Sequence, residues 1–298
     1  MIEIIIGAVA LGIIWAIAAM GIFITYRVLD IADLSMEGTL VLGACVSAVI
    51  IHNGGNPYLA VLAAAFAGAA GGLLTALLHT KLKIPALLSG ILTMTALYSI
   101  NIRVMGGISN VSLLRAKTIF TPFMDMGLNK NISAIIVGAI FTLLSFILIY
   151  WFFGTEIGNS VRATGNSPQM AAAQGTNPDF TKALGLVLSN FFIGLSGGVL
   201  GQYLGFSDIQ MGAGAIVIGL ASLIIGEVVF GTPSFFRTLI SLILGAITYR
   251  IIIAMVFEMG MPASDLKLFT AVTVAAALCL PQMKGQLAKL KKGAAHNA

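Results

Sequence analysis

Long apolar runs recur along the whole chain, and they restrict the fold more than any other feature of the sequence. Of the 298 residues, 58% are hydrophobic and only 9% are charged. A soluble domain carries about 25% charged residues, and a helix that crosses a bilayer needs about 20 apolar residues in a row. The runs lack the alternation at every second residue that a transmembrane β-barrel requires. The sequence therefore predicts an all-α fold, a polytopic integral membrane helical bundle that forms one transmembrane domain over residues 1–298.

Breakers such as Asn53-Gly54-Gly55 and Gly231-Thr232-Pro233 divide the apolar sequence into about nine predicted spans. The first run is long enough to cross a membrane and lacks a basic start, so it is expected to span and not to be a cleavable signal. The nine predicted spans cover residues 4–25, 35–52, 57–79, 85–105, 132–153, 180–204, 211–230, 235–256 and 266–282.

Lys and Arg residues accumulate in short loops on one side of the predicted bundle, which the positive-inside rule assigns to the cytoplasm. With an odd number of spans, the N-terminus then lies outside and the C-terminus inside, and the basic stretch 283–298 is a cytoplasmic tail. The segment 106–131 is an exception, because it carries basic residues but is placed outside. The residues assigned to the cytoplasmic side are Arg27, Lys81, Lys83, Arg162, Lys182, Arg237, Lys284, Lys289, Lys291 and Lys292.

Two stretches of the sequence look like distant copies of each other. One begins at Ala10-Leu11-Gly12 and leads to Asp33-Leu34-Ser35-Met36, and the other begins at Ala183-Leu184-Gly185 and leads to Asp208-Ile209-Gln210-Met211. In the predicted topology they enter the membrane from opposite sides. An inverted repeat, which is common in transporters and places the substrate route at the repeat interface, is one explanation. Chance similarity between two apolar stretches is the other.

The longest polar stretch on the predicted cytoplasmic side covers residues 154–179, and it contains a short helix with its own end signals. Ser167 can cap the first amides, Pro168 occupies the first helical position, and Gly175 can close the helix in the left-handed conformation. A helix of two turns is not stable alone in water. Its small face, with Met170 and the alanines that follow, suits a groove on a partner protein. The alternative is a plain connecting loop.

This segment resembles the cytoplasmic coupling loop of ABC permeases of the branched-chain amino acid and ribose type. That family typically reads R-A-x-G-x-[NS]-P-x-A-A-x-x-x-G-[IT]-[ND], and residues 162–177 here read RATGNSPQMAAAQGTN. One residue departs, since Met170 stands one place before the first Ala. Two further similarities are RVLDIADLSMEG at 27–38, followed by Gly43-Ala44, and the Gly-rich stretches 194–200 and 212–219. Together the similarities cover most of residues 5–230.

The resemblance implies a permease that pairs with a second copy of itself, binds two cytoplasmic ABC ATPase subunits and receives solute from an extracytoplasmic substrate-binding protein. It implies the cytoplasmic (inner) membrane of a bacterium, no cofactor, and a small solute, with an amino acid favoured because the related branch is often linked to amino acids. The residues expected to couple to the ATPase are Arg162, Gly165, Asn166, Ser167, Pro168, Met170, Ala171, Ala172 and Gly175.

Polar side chains inside predicted spans are candidates for a solute path, because charged groups in hydrocarbon are unfavourable unless they serve a function. Asp33 and Glu37 are expected at the cytoplasmic start of the second span, where they either gate the path or only begin a helix. The amides and hydroxyls either line the path or bond between helices. The residues expected on the path are Ser35, Glu37, Thr93, Asn101 and Asn190.

These observations predict a permease subunit of an ATP-driven importer that works by alternating access and performs no chemistry itself. The main alternative is a secondary transporter, which needs an ion-coupling carboxylate near the membrane midplane. An intramembrane enzyme is disfavoured, because the sequence has no phosphate loop and no helical metal pair such as H-E-x-x-H. The scattered basic residues do not suggest nucleic acid, and no metal site is expected.

Overall fold

The computed structural model describes residues 2–114 and 116–258, and residues 268, 269, 271, 272 and 275. The polypeptide is almost entirely helical, with one short pair of strands. The helices are α1 Ile2–Phe23, which continues as a π-helical turn Ile24–Val28, α2 Met36–His52, α3 Pro57–Thr80, α4 Ala86–Val104, α5 Thr121–Asp125, α6 Lys130–Phe153, α7 Glu156–Asn166, α8 Pro168–Ala173, α9 Pro178–Leu204, α10 Ala215–Phe230 and α11 Phe235–Glu258. The strands are β1 Asn110–Ser112 and β2 Phe206–Asp208.

Six of these helices are long and apolar enough to cross a membrane: α1 with its π turn, α3, α4, α6, α9 and α11. Two more, α2 and α10, are apolar but have only 17 and 16 residues, which correspond to about 25 Å of helix. The first eight predicted spans each correspond to one of these helices. The count of nine is not confirmed, because the ninth span and the tail 283–298 fall outside the described residues apart from a few isolated positions.

The centre of the bundle is formed by α1, α2 and α9, whose middle residues are buried on all sides. Glycine allows these helices to approach closely. A Cβ on Gly194 of α9 would meet the backbone of Gly68 in α3 at 2.8 Å, and a Cβ on Gly43 of α2 would overlap the Gly194 carbonyl. Small residues at such crossings are the usual basis of helix packing in membranes, where apolar burial alone gives no drive to associate.

The helices form two similar units, α1–α2–α3 and α9–α10–α11. Each unit has a long helix, a shorter helix of 16 or 17 residues and a second long helix, and the shorter helices α2 and α10 are called half-length below. The leading helices α1 and α9 run antiparallel. Ser189 Oγ donates to the Gly21 carbonyl at 2.7 Å, and about two turns further along α9, Ser196 Oγ donates to the Ile14 carbonyl at 2.9 Å. The two units therefore have opposite directions in the bundle.

The turns that precede the two half-length helices also match. Before α2, Asp33 Oδ1 accepts from the backbone N–H of Ser35 at 2.8 Å. Before α10, Asp208 Oδ1 accepts from the backbone N–H of Gln210, also at 2.8 Å. The aspartates of the two sequence stretches that look alike thus form the same local turn.

The short strands form a clasp at one end of the bundle. In this β clasp, residues 110–112 pair antiparallel with residues 206–208, with Val111 opposite Ser207. Asn110 Nδ2 also donates to Asp208 Oδ2 at 3.1 Å. The clasp joins the segment after α4 to the end of α9, the leading helix of the second unit.

Candidate functional site

The amino-terminal ends of the two half-length helices meet inside the bundle. Glu37, in the first turn of α2, accepts through Oε1 from the backbone N–H of Gly214 at 3.0 Å. Gly214 is the N-cap of α10 and adopts φ +82°, a conformation that favours glycine. The positive end of the α10 dipole faces this carboxylate.

This junction lies deep in the bundle. Asp33 and Ser35 contact Asn190, which follows the start of α9 by 12 residues, or about 18 Å along a helix of about 40 Å. Asp33 and Glu37 were predicted at the cytoplasmic end of a span, and that placement is wrong. The connection 29–35 returns into the bundle before α2 begins, so the carboxylates lie near the middle of α9.

Asp33, Ser35 and Asn190 form a buried polar cluster between α9 and the turn before α2. Asn190 Nδ2 donates to Asp33 Oδ2 at 2.8 Å and to the Leu186 carbonyl at 3.0 Å, and Ser35 Oγ donates to Asn190 Oδ1 at 3.4 Å. Buried polar groups are expected to be satisfied in this way, since an unpaired one is destabilising. The cluster fixes the turn onto α9.

A cleft of about 410 Å³ opens beside Glu37, between α2, α4 and the turn before α10. Its wall includes Asn101, whose Nδ2 donates to the Gly38 carbonyl at 3.1 Å. The Oδ1 atom of Asn101 is buried and has no hydrogen-bond partner among the described residues. The lining residues are Glu37, Gly38, Val41, Met94, Thr95, Tyr98, Ser99, Asn101, Ile209, Gln210, Gly212 and Ala213.

The five residues predicted to line a path do not share one cavity. Glu37 and Asn101 line the cleft, whereas Ser35 and Asn190 belong to the buried cluster and Thr93 accepts from Thr75 Oγ1 at 3.0 Å. Ser35, Asn190 and Thr93 instead form hydrogen bonds between segments of the bundle, which was the alternative to lining a path. Gly212 and Ala213 of the cleft were not among the predicted path residues, because they carry no polar side chain that would mark them within the predicted span 211–230.

The capped short helix predicted within 154–179 is present as α8. Ser167 Oγ accepts from the Met170 N–H at 3.4 Å, and Gly175 takes φ +85°. The last turn closes as a Schellman motif, in which the Thr176 N–H donates to Ala171 O and the Gly175 N–H to Ala172 O, each at 3.0 Å. The helix α7 immediately before it was not predicted. It begins at Glu156, directly after the N-cap residue Thr155.

One face of α8 is buried and the other is free. Ala171 packs inward, while Ala172 is exposed and the Met170 side chain is 66% exposed. An exposed methionine is adaptable and apolar, and it is a common feature of surfaces that bind other proteins. Met170 and Ala172 are thus the predicted docking residues of α8 that are open to contact, whereas Ala171 is not.

The helix α7 connects this exposed surface to the π turn at the end of α1. Gly165 lies so close to Val28 that a Cβ would overlap the Val28 carbonyl oxygen. Arg162 stacks over the Phe235 ring of α11, with its guanidinium carbon 4.7 Å from the ring centre. Beside them, Arg27 Nε is 3.0 Å from Glu227 Oε1. Arg162 and Asn166, which are predicted to couple to the ATPase, line a cleft of about 330 Å³ shared by α1, α7, α10 and α11.

A bundle of apolar helices with a cleft inside it, and a capped helix that projects outside it, is typical of a multi-pass membrane transport protein. The comparison with known proteins makes the class specific. The chain belongs to the family described as "Branched-chain amino acid transport system / permease component", whose model matches residues 4–278. It is therefore an ABC importer permease, which resides in the inner membrane and works with an ATPase partner.

Individual relatives extend this finding. The chain is 39% identical to a tyrosine transport system permease protein of Clostridioides difficile (strain R20291), over 96% of this chain and 94% of that one. It is 29% identical to an uncharacterized protein of Rickettsia prowazekii (strain Madrid E), over 86% and 89% of the two chains. A solved metal-chelate type ABC transporter in an inward-facing conformation matches with a TM-score of 0.51 and 15% identity, over 94% of this chain and 85% of that chain. At that identity the likeness establishes the fold alone.

Proposed function

We propose that this permease imports an amino acid by alternating access, and that α8 is the element on which its ATPase partner acts. The observation that carries the proposal is that residues 154–179 present an exposed surface at one point and pack against the spans at another. Met170 is exposed for a partner, and Gly165 lies directly on the π turn of α1. A displacement of α8 would therefore reach the spans through rigid, closely packed backbone.

The proposed route of the motion continues into the bundle. Val28 and Leu29 lead into the turn that carries Asp33, and Leu29 packs against Gly185 of α9. Asp33 is bonded to Asn190, and Glu37, one helical turn later, is bonded to Gly214 at the start of α10. A shift of α7 against Val28 would therefore change how the two half-length helices meet at the cleft. Two discrete arrangements of such a packed junction are what alternating access requires.

We infer the substrate class from the relative in Clostridioides difficile, whose name describes tyrosine transport. The family model, described for branched-chain amino acids, is in keeping with an amino acid as solute. The full assembly we propose contains two permease copies, ATPase subunits on the cytoplasmic side and an extracytoplasmic substrate-binding protein. Residues 154–179 face the cytoplasm in this assembly, with the N-terminus outside and the C-terminus inside.

We further propose that the units α1–α3 and α9–α11 are an inverted repeat. Their opposite directions and their matching Asp33 and Asp208 turns support a common origin better than chance similarity of apolar sequence does. In this arrangement the cleft lies where the two half-length helices meet, at the interface of the repeats.

The docking role of α8 is tested by substituting Met170→Asp in the full permease expressed with its ATPase. We expect the ATPase to be lost during purification, because a charge on an apolar docking face leaves an unpaired, desolvated carboxylate in the interface. Met126→Asp is the matched control, since Met126 is 77% exposed and lies in the segment between α4 and α6. Retention of the ATPase by Met170→Asp, or equal loss in both variants, would contradict the docking role.

The second candidate is a transporter driven by an ion gradient, and one observation favours it. Glu37 is a carboxylate near the middle of the bundle, as ion coupling would require. Membership in the family of ABC permeases favours ATP as the energy source. Uptake that stops on ATP depletion but continues after a proton uncoupler supports the first candidate, and the reverse result supports the second.

A further inference from the structure

We propose that the cleft beside Glu37 is a transient binding site for the protonated amine of the transported solute. The inference rests on the proposed function, in that it assumes the solute crosses between the two half-length helices. It goes further by assigning to the membrane subunit a recognition role of its own, for a primary ammonium group. The ligand contacts would be the carboxylate of Glu37 and the amide oxygen of Asn101.

The charge at the cleft is negative and uncompensated by any side chain that lines it. Glu37 supplies a carboxylate, and the other described residues lining the cleft are apolar or neutral. The carboxylate is stabilised from behind by the α10 N-terminus through the Gly214 N–H. Because the walls include Val41, Met94 and Ile209, the surroundings are of low polarity, which strengthens attraction to a cation.

Asn101, which lines the same cleft, adds a second acceptor. Its Nδ2 donates to the Gly38 carbonyl, which can only accept, so the amide cannot be turned round and Oδ1 must face away from that bond. The side chain is 1% exposed, and Oδ1 lacks a donor among the described residues. A buried acceptor without a partner is destabilising, so a donor brought by a ligand would be bound favourably. An ammonium group has three donors, enough for both Glu37 and Asn101.

The size and remaining surface of the cleft fit a small solute with an apolar side chain. A volume of about 410 Å³ is within the range of small-molecule sites. Tyr98 is 55% exposed and lies on the same wall as Met94, so the side chain of the solute would contact an aromatic ring and a thioether. Thr95 and Ser99, one turn apart on α4, supply hydroxyls at the margin.

The charge preference is tested without knowing the natural solute. Ser99→Cys is introduced into the full permease in a Cys279→Ser background, where Cys45 is buried and unreactive. The rate of reaction with a cationic thiosulfonate is compared with that of an anionic one, each relative to a free thiol. We expect about a tenfold preference for the cation, since a nearby carboxylate attracts one reagent and repels the other. Both reagents attack the same thiolate, so its ionisation cancels in the ratio.

Glu37→Gln in the same background should abolish the preference. The glutamine keeps an oxygen that can accept from Gly214, so the helix junction is preserved while the charge is removed. Met126→Cys is the control position, and its reagent ratio should be the same whether or not the Glu37→Gln substitution is present. A Ser99→Cys ratio equal to that of the free thiol, or one unchanged by Glu37→Gln, would reject the site.

The ligand class is tested by protection. Tyramine, an amine without a carboxylate, should slow alkylation of Ser99→Cys by a neutral maleimide, whereas 3-(4-hydroxyphenyl)propionate, which has a carboxylate and no amine, should not. Equal protection by both compounds, or protection by the acid only, would overturn the assignment. ATPase co-purification is measured on every variant. If the ATPase is bound but Ser99→Cys shows no charge preference, this site is rejected and the proposed function stands. If Ser99→Cys shows the charge preference but no ATPase is bound, the site stands and the proposed function is rejected.

Discussion

At the residue scale, Asn190 connects the elements that meet at the buried cluster. It is bonded to Asp33 and Ser35 in the turn before α2 and to Leu186 in its own helix. Its Nδ2 and its Oδ1 both form hydrogen bonds, and the side chain is fully buried. These bonds fix the face of α9 that packs against the turn. From the sequence alone, Asn190 was expected on the solute path, with a hydrogen bond between helices as the alternative.

Asn190→Leu is expected to lower the thermal stability of the detergent-solubilised permease. The substitution leaves the buried Asp33 carboxylate without one donor, and loss of a hydrogen bond to a charged group is worth about 1.5–3 kcal/mol. The double variant Asp33→Asn/Asn190→Leu removes the charge as well and should recover part of that loss. Melting temperatures of the single and double variants check this. Additive losses in the double variant would show that the two side chains do not interact.

At the element scale, the local signals of α8 were sufficient to predict it, whereas those of α2 predicted the helix but not its depth in the bundle. The cap, the proline at the first position and the glycine after the end specify α8 through local bonds alone. The start of α2 coincides with the start of an apolar run, which is indistinguishable in sequence from a membrane boundary. Only the contact between Asp33 and Asn190, 157 residues apart, reveals that this start is deep in the bundle.

The helix α7 was missed for a different reason. Its sequence from Glu156 to Asn166 contains two glycines, which are poor helix formers, and it has only three buried residues. Its stability comes from contacts that are distant in sequence, including the bond between Thr164 Oγ1 and Thr181 Oγ1 at 2.8 Å and the packing of Gly165 on Val28. Tertiary packing of this kind cannot be predicted from propensity.

Gly165→Ala is expected to uncouple the ATPase from transport. The added methyl group would overlap the Val28 carbonyl, so α7 must move away from the π turn, and overpacking of this kind costs about 1–3 kcal/mol. ATP hydrolysis and solute uptake are measured together on the reconstituted complex. The control is Gly154→Ala, where the nearest atom to a new Cβ is a backbone oxygen at 3.3 Å. Normal coupling in Gly165→Ala would show that this contact does not transmit motion.

At the scale of the whole molecule, hydropathy predicted the helical bundle and the positions of eight helices, but the arrangement of those helices depends on close contacts between small residues. Gly43 and Gly68 meet Gly194 at one crossing, although α9 is far in sequence from α2 and α3. A single sequence contains the glycines without stating which of them meet. The sequence offered an inverted repeat as one of two explanations for the similar stretches, and the hydrogen bonds between α1 and α9 show that these two helices run antiparallel.

The proposed orientation places α8 and the β clasp on opposite sides of the membrane. Single cysteines at Gln174, just after α8, and at Asn110, in the β clasp, should respond differently to a membrane-impermeant maleimide applied to intact cells. We expect Asn110→Cys to be labelled directly and Gln174→Cys only after permeabilisation, since both positions are exposed. Labelling of Gln174→Cys in intact cells would reverse the orientation and remove α8 from the reach of a cytoplasmic ATPase.

The β clasp has a mechanical consequence. It joins the segment after α4 to the far end of α9 through paired backbone and the Asn110–Asp208 bond. If α9 tilts, we expect it to pivot about this end. A rod of about 40 Å that pivots by about 10° moves its free end by about 7 Å and its midpoint by half as much. The Asn190 cluster is near that midpoint. A displacement of the α9 end that lies beside α8 would therefore move the cluster, and Glu37 next to it, by only a few ångströms.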